Sequence, residues 1–238
     1  MQDLILHKAS TRGNANHGWL DSHHTFSFGS YHNPERMHFG ALRVLNDDIV
    51  KGGMGFSKHP HDNMEIISIP LRGALKHNDT TGRNEIIKTG DVQIMSAGTG
   101  ISHSEVNASK TEDVNFLQLW IIPKKRNIAP RYEQKTFDVS GCENKFQTVV
   151  SPNENSDSLW INQDAWLSFG NIKKDFTAYY NINNKTNGIY VFMIEGDVMI
   201  NSQMLGRRDG IGVKDLAKLE IKADSDAELL VIEVPVQI

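Results

Sequence analysis

Short apolar runs broken by turn residues, with no stretch that keeps a helical period, constrain this chain more than any other feature. The pattern predicts strands over 41–45, 65–71, 74–77, 85–87, 92–95, 103–106 and 116–122. Turns fall at Asn46-Asp47-Asp48, Asn78–Gly82, Thr89-Gly90-Asp91 and Ala97–Gly100. Turn signals about 8–12 residues apart predict an all-β sandwich or barrel. The run Phe116–Ile122 is almost continuously apolar, as a strand buried on both faces must be. Residues 123–134 are polar, carry Pro123 and Pro130, and read as a linker. A second strand series then occupies 146–150, 159–162, 166–171, 177–182, 190–194, 198–200, 218–221 and 229–234.

The two series resemble each other. Leu71-Arg72-Gly73 in the first matches Ile194-Glu195-Gly196 in the second, and Gly90-Asp91 matches Asp209-Gly210. Two tandem β-domains are expected, over 1–130 and 131–238. Counting back equally from Leu71 and from Ile194 pairs His59 with Ile182 and His61 with Asn184. All ten histidines lie at or before His103, so imidazole chemistry belongs to the N-terminal half.

With 238 residues, 39% hydrophobic and 23% charged, the chain can build two domains of ordinary size. A net charge of −4 and only two small basic clusters, Lys124-Lys125-Arg126 and Arg207-Arg208, argue against direct nucleic-acid binding. The single cysteine, Cys142, has no intramolecular disulfide partner and has no histidine near it in sequence. It is expected to be a small packed residue in a reducing compartment. Met1–His7 lacks a basic region and a long apolar run, and no stretch approaches the length of a membrane span. The expectation is a cytoplasmic protein.

The densest chemistry sits in His59-Pro60-His61 and His103-Ser104-Glu105. In an extended chain residues i and i+2 share a face, about 6.6 Å apart. Pro60 favours that conformation by pushing His59 out of the helical region, and its missing N–H suits a strand end or barrel mouth. Two such pairs on facing strands bring three imidazoles and a carboxylate to one point, a donor set for Fe, Mn, Co, Ni, Cu or Zn. Glu65, at i+4 from His61, lies on the same face and is an alternative carboxylate. His23 and His24 are adjacent and face opposite ways, so they are expected at the surface or pocket edge. His77 reads as a hairpin residue, and Trp19, Trp120, Trp160 and Trp166 as core anchors.

These residues resemble a known family. Gly53-x5-His59-x-His61-x3-Glu65 resembles the first cupin motif, and Gly90 through Asn107 resembles the second. Ser96 stands where many cupins have Pro, and the interval from Gly90 to His103 is two residues longer. The stretches His17–Phe28, His59–Glu65 and Gln93–Glu105 together resemble the pirin family, over most of residues 1–135. That resemblance implies a bicupin of two jelly-roll-like barrels, with one metal ion, most often Fe(II), in the first barrel only. It places the ligands on His59, His61, His103 and Glu105, the carboxylate following the third histidine instead of Glu65. It also implies a dioxygenase that opens flavonols such as quercetin with O2 and releases carbon monoxide; in such a reaction a loosely held Glu105 is the candidate general base for the 3-hydroxyl proton. Phe56, Met64, Met95 and Trp120 are candidate substrate walls, with packing in the core the favoured place for each. The same resemblance allows a non-enzymatic, iron-based redox sensor that acts on a protein partner, and a cupin acting on another small molecule is a third reading.

Overall fold

The computed structural model describes residues 4–138 and 142–237. Met1–Asp3, the start of the stretch considered as a signal peptide, lie outside the described residues. The strands in chain order are β1 Leu4–His7, β2 Gly13–Asn16, β3 Leu20–His24, β4 Leu42–Val50, β5 Gly55–His61, β6 Glu65–Arg72, β7 Ala74–Asp79, β8 Asn84–Lys88, β9 Asp91–Ser96, β10 Ile101–Asn107 and β11 Val114–Ile121. They continue with β12 Arg131–Thr136, β13 Phe146–Ser151, β14 Leu159–Trp160, β15 Trp166–Ile172, β16 Thr177–Asn181, β17 Asn187–Glu195, β18 Val198–Ile200, β19 Gln203–Leu205, β20 Gly210–Val213, β21 Lys218–Ala223 and β22 Ala227–Pro235. One 3-10 turn, Ala9–Thr11, is the helical element among the described residues, and no helix is long and apolar enough to cross a membrane.

Four sheets result. A seven-stranded sheet, β12-β9-β6-β11-β4-β3-β2, faces a four-stranded one, β5-β10-β7-β8, and the second half repeats this with β1-β20-β17-β22-β15-β13-β14 and β16-β21-β18-β19. The strand orders correspond position by position. Gly73 and Gly196 end equivalent strands with φ of 80° and 79°, where a side chain is strained. At Gly196 there is also no room, because a Cβ would lie 2.2 Å from the Asp226 carbonyl oxygen.

Alternation along the large sheets explains the apolar runs. Leu117, Leu119 and Ile121 of β11 join Leu230, Ile232 and Val234 of β22 in the core between the two halves, while Phe116 and Trp120 face the first barrel. Both faces of β11 and β22 are thus covered, as such runs require.

Two local expectations are corrected. The expected linker, 123–134, ends before Arg131: β12 pairs along the free edge of β9, from Arg131 opposite Ser96 to Thr136 opposite Asp91. Backbone pairing on an open edge needs little apolar patterning, and Tyr132 is the one buried side chain of that strand. Nor is Asn46-Asp47-Asp48 a turn; β4 runs straight through it with all three residues buried. Strand β1 likewise sits on the edge of the C-terminal sheet, paired with β20. Cys142 is buried, and burial pushes its thiol pKa up, in keeping with a packed residue.

The halves are also tied by buried charge. Asp47 accepts from Arg208 Nε at 2.9 Å and from Asn115 Nδ2 at 2.8 Å, with Arg12 at 3.5 Å. Removing one member of a buried set strands the others in low dielectric. Asp47→Ala is expected to lower unfolding free energy by about 3–5 kcal/mol, read by denaturant titration; a loss below about 1 kcal/mol would show that the guanidinium groups reach water.

Candidate metal centre

β5 is the edge strand of the small sheet, so the N–H that Pro60 lacks is not needed by a neighbour. Register then does the assembly. His103 of β10 lies directly opposite His59, and Ile101 opposite His61. The three rings sit 4.5 to 4.9 Å apart, centroid to centroid, and their ligand nitrogens all lie within 4.8 Å of one another.

The hydrogen bonds orient these nitrogens. His59 Nδ1 donates to the Ser57 carbonyl at 2.8 Å, which leaves Nε2 as the lone-pair nitrogen. That Nε2 faces His103 Nε2 at 3.1 Å. Burial first, then the neighbouring imidazoles, lower the pKa of His61 to about 4 and of His103 to about 3. Neutral rings presenting nitrogens to one another are the donor set a cation stabilises.

Glu105 is 1% exposed. Its Oε1 accepts from Ser68 Oγ at 2.8 Å and its Oε2 from Gln118 Nε2 at 2.6 Å. A ligand oxygen of Glu105 lies within 4.8 Å of ring nitrogens of both His103 and His77. Glu65 does not join either cluster. It is turned toward the C-terminal half, accepting from Ser96 Oγ at 2.8 Å and the Asn162 backbone N–H at 3.3 Å, and burial pushes its carboxyl pKa up. The Ser96 that departs from the cupin pattern is the residue that holds it.

A cavity of about 460 Å³ opens beside the imidazoles. His59, His61, Glu105 and Gln118 form one wall, and Trp19, Phe28, Phe56 and Trp120 supply aromatic faces. Phe56 and Trp120 therefore line the cavity. Met64 and Met95 do not: they pack in a core cluster with Ile66, Ala97 and Ile101. Trp120 is a wall as well as an anchor, its ring 4.9 Å from that of His61.

The third wall escaped the sequence reading. Ser22 Oγ bonds both Asp48 Oδ1 and His24 Nε2, and all three residues are buried. His24 and His23 do face opposite ways; His24 is the one that turns inward. The signal was present in Asn46-Asp47-Asp48, polar residues embedded between Leu45 and Ile49. His77 also escaped. Its backbone pairs in the β7–β8 hairpin as expected, but its side chain is fully buried, with its ring 5.3 Å from that of His103.

Residues 6–121 match the family model Pirin, and residues 148–234 match the one described as quercetinase C-terminal cupin domain. The chain is 44% identical to the quercetin 2,3-dioxygenase of Escherichia coli (strain K12), over 98% of this chain and 99% of that protein. It is 40% identical to a pirin-like protein of Caulobacter vibrioides, over 93% and 95%. The crystal structure of bacterial pirin YhhW from Escherichia coli in complex with nickel(II) superposes with a TM-score of 0.93 at 42% identity, covering 99% of this chain and 100% of that one.

Burial raises the Asp48 pKa to about 7, against the Ser22 hydrogen bond and helped by the charges of Asp47 and Glu105. The folded state thus binds this proton more tightly than the unfolded chain, where the ordinary value is 3.8. The resulting stability is complete below that ordinary value and is lost as pH rises toward the folded one. Asp48→Asn should therefore gain on wild type as pH rises: its unfolding midpoint relative to wild type increases from about pH 4 to about pH 8. A difference that stays constant with pH would show Asp48 ionised throughout.

Proposed function

The chain belongs to the pirin family, and from that membership and the geometry of the site we propose that it is a metal-dependent dioxygenase that opens flavonols such as quercetin with O2 and releases carbon monoxide. Its architecture is the bicupin one implied by the sequence. The observation that carries the reading is the set of three converging imidazoles, of which His59 and His61 line an aromatic-walled cavity of about 460 Å³, a size suited to a flavonol.

In this reading His59, His61, His103 and Glu105 hold one ion, Fe(II), in the barrel built mainly from residues 1–130, and the half from 131 to 238 carries none. The imidazoles support this reading: the Nε2 atoms of His59 and His103 lie 3.1 Å apart with lone pairs that a proton or a cation between them relieves, and Glu105 approaches His103 within 4.8 Å. When bound, the ion supplies electron transfer between substrate and O2 and acidifies a coordinated hydroxyl. Glu105 takes the flavonol 3-hydroxyl proton on an oxygen otherwise occupied by Ser68 or Gln118. Phe28, Phe56 and Trp120 stack on the planar rings and exclude water. The Ser22, His24 and Asp48 wall offers hydrogen bonds to the hydroxyl groups of the substrate's far ring. The cell compartment consistent with this reading is the cytoplasm.

The alternative of a redox-sensing regulator requires a responsive outer surface. The imidazoles open instead into a cavity of small-molecule size, which favours the enzyme.

The test is O2 uptake and carbon monoxide release with quercetin by protein reconstituted with Fe(II). His59→Ala is expected to lose both the ion and turnover. Glu105→Ala is expected to lose about 10²–10⁴-fold in turnover. Reconstitution with redox-inactive Zn(II) should give no turnover. One ion bound per chain with no activity on any flavonol would overturn the proposal in favour of the regulator.

A further inference from the structure

His77 and Asp79 are both side-chain buried to 0% exposure, beneath the imidazole cluster, and the mechanism above uses neither. His77 Nε2 meets Asp79 Oδ2 at 2.8 Å. The other oxygen, Oδ1, already accepts from Thr81 N at 2.8 Å, Thr81 Oγ1 at 2.6 Å and Arg83 N at 3.3 Å. A carboxylate so surrounded only accepts, so His77 carries its proton on Nε2 and keeps a lone pair on Nδ1.

His103 presents the complementary group. Its Nε2 points at His59, so with Nε2 acting as a ligand the proton must sit on Nδ1. Both His103 Nδ1 and His77 Nδ1 are buried, and neither has a hydrogen-bond partner among the described residues. A buried N–H and a buried lone pair on adjacent rings, 5.3 Å between centroids, are each costly alone, and each is the group the other lacks.

The second barrel supplies an internal comparison. Strand register, aligned on Gly73 and Gly196, places Leu219 at the position of His103, Ile221 at that of Glu105 and Ile200 at that of His77. The half without ligands also lacks the histidine.

We propose that His77 is a positioning residue for the metal centre: it accepts the Nδ1 proton of His103, directly or through one buried water, and Asp79 sets its tautomer. This rests on the metal reading above. Metal-bound histidines are held in this way by a partner on the second nitrogen, and loss of such partners costs roughly 10–100-fold in affinity.

The experiment titrates the metal-stripped full chain with Ni(II) against a chromophoric chelator and measures apo unfolding midpoints alongside. In Asp79→Asn, Oδ1 must keep its three donors, so the amide nitrogen faces His77 and donates to Nε2. The His77 proton then moves to Nδ1, and two N–H groups oppose each other. His77→Phe fills the space and removes the acceptor, so it reads the same contact if the first variant fails to fold. Each variant is expected to bind Ni(II) roughly 10–100-fold more weakly, with the apo midpoint of Asp79→Asn within a few degrees of wild type. Wild-type affinity in both variants, or lost apo stability with affinity intact, would assign His77 to packing and overturn the inference. Two ions per wild-type chain would make His77 a ligand and overturn it also. No ion bound by wild type would instead overturn the metal reading, and this inference with it.

Discussion

A polar group inside a barrel is costly unless a protein partner or a trapped water matches it. The two halves of this chain answer that constraint in opposite ways on one scaffold. In the first barrel the inward positions hold His59, His61, His77, His103, Glu105, Ser68 and Gln118. Strand register puts Tyr180, Ile182, Ile200, Leu219, Ile221, Val191 and Val231 at the same places in the second. Those residues form or border the second barrel's hydrophobic core. At these positions one half therefore carries costly polar groups and the other mostly apolar ones, although the second barrel also buries Glu233, held by Tyr180, Asn183 and Asn187.

The apolar half also supports the polar one. Their large sheets share a core from β4, β6 and β11 on one side and β15, β17 and β22 on the other. Alternation on β4 links that interface to the cavity: Asp47 turns outward to Arg208, and its neighbour Asp48 turns inward to Ser22. β6 does the same, with Glu65 held by the Asn162 backbone and Ser68 held on Glu105. The cavity walls are thus the inner faces of strands whose outer faces are clamped by the second domain. A substitution at the interface can reach the site through a single residue step.

The duplication was legible before the fold was known, because Gly73 and Gly196 both end strands in a backbone region that favours glycine. The pairing of ligand positions was less so. Equal counting put His59 against Ile182 and His61 against Asn184. The ladder instead aligns His59 with Tyr180 and His61 with Ile182, since His103 opposes His59 as Leu219 opposes Tyr180. The connection from strand β5 to β6 is two residues shorter than its counterpart, and a count along the chain cannot see a loop length change. The conclusion that the second half lacks the imidazoles is the same under either alignment.

By itself the sequence determined what depends on neighbouring residues. Period-2 alternation, turn glycines and the conformational limits of Pro60 set the strands, the repeated halves and the shared face of His59 and His61. Tertiary structure alone decided which distant side chains meet. Nothing local distinguishes Glu65 from Glu105, or the buried His24 and His77 from surface histidines; strand order, register and the docking of the second half make those choices. The reason is physical: an ionisable side chain is tolerated inside only where it finds partners, and while His24 and His77 meet Ser22 and Asp79 on their own strands, Glu105 and Glu65 are held by Ser68 and Ser96, which lie 37 and 31 residues away along the chain.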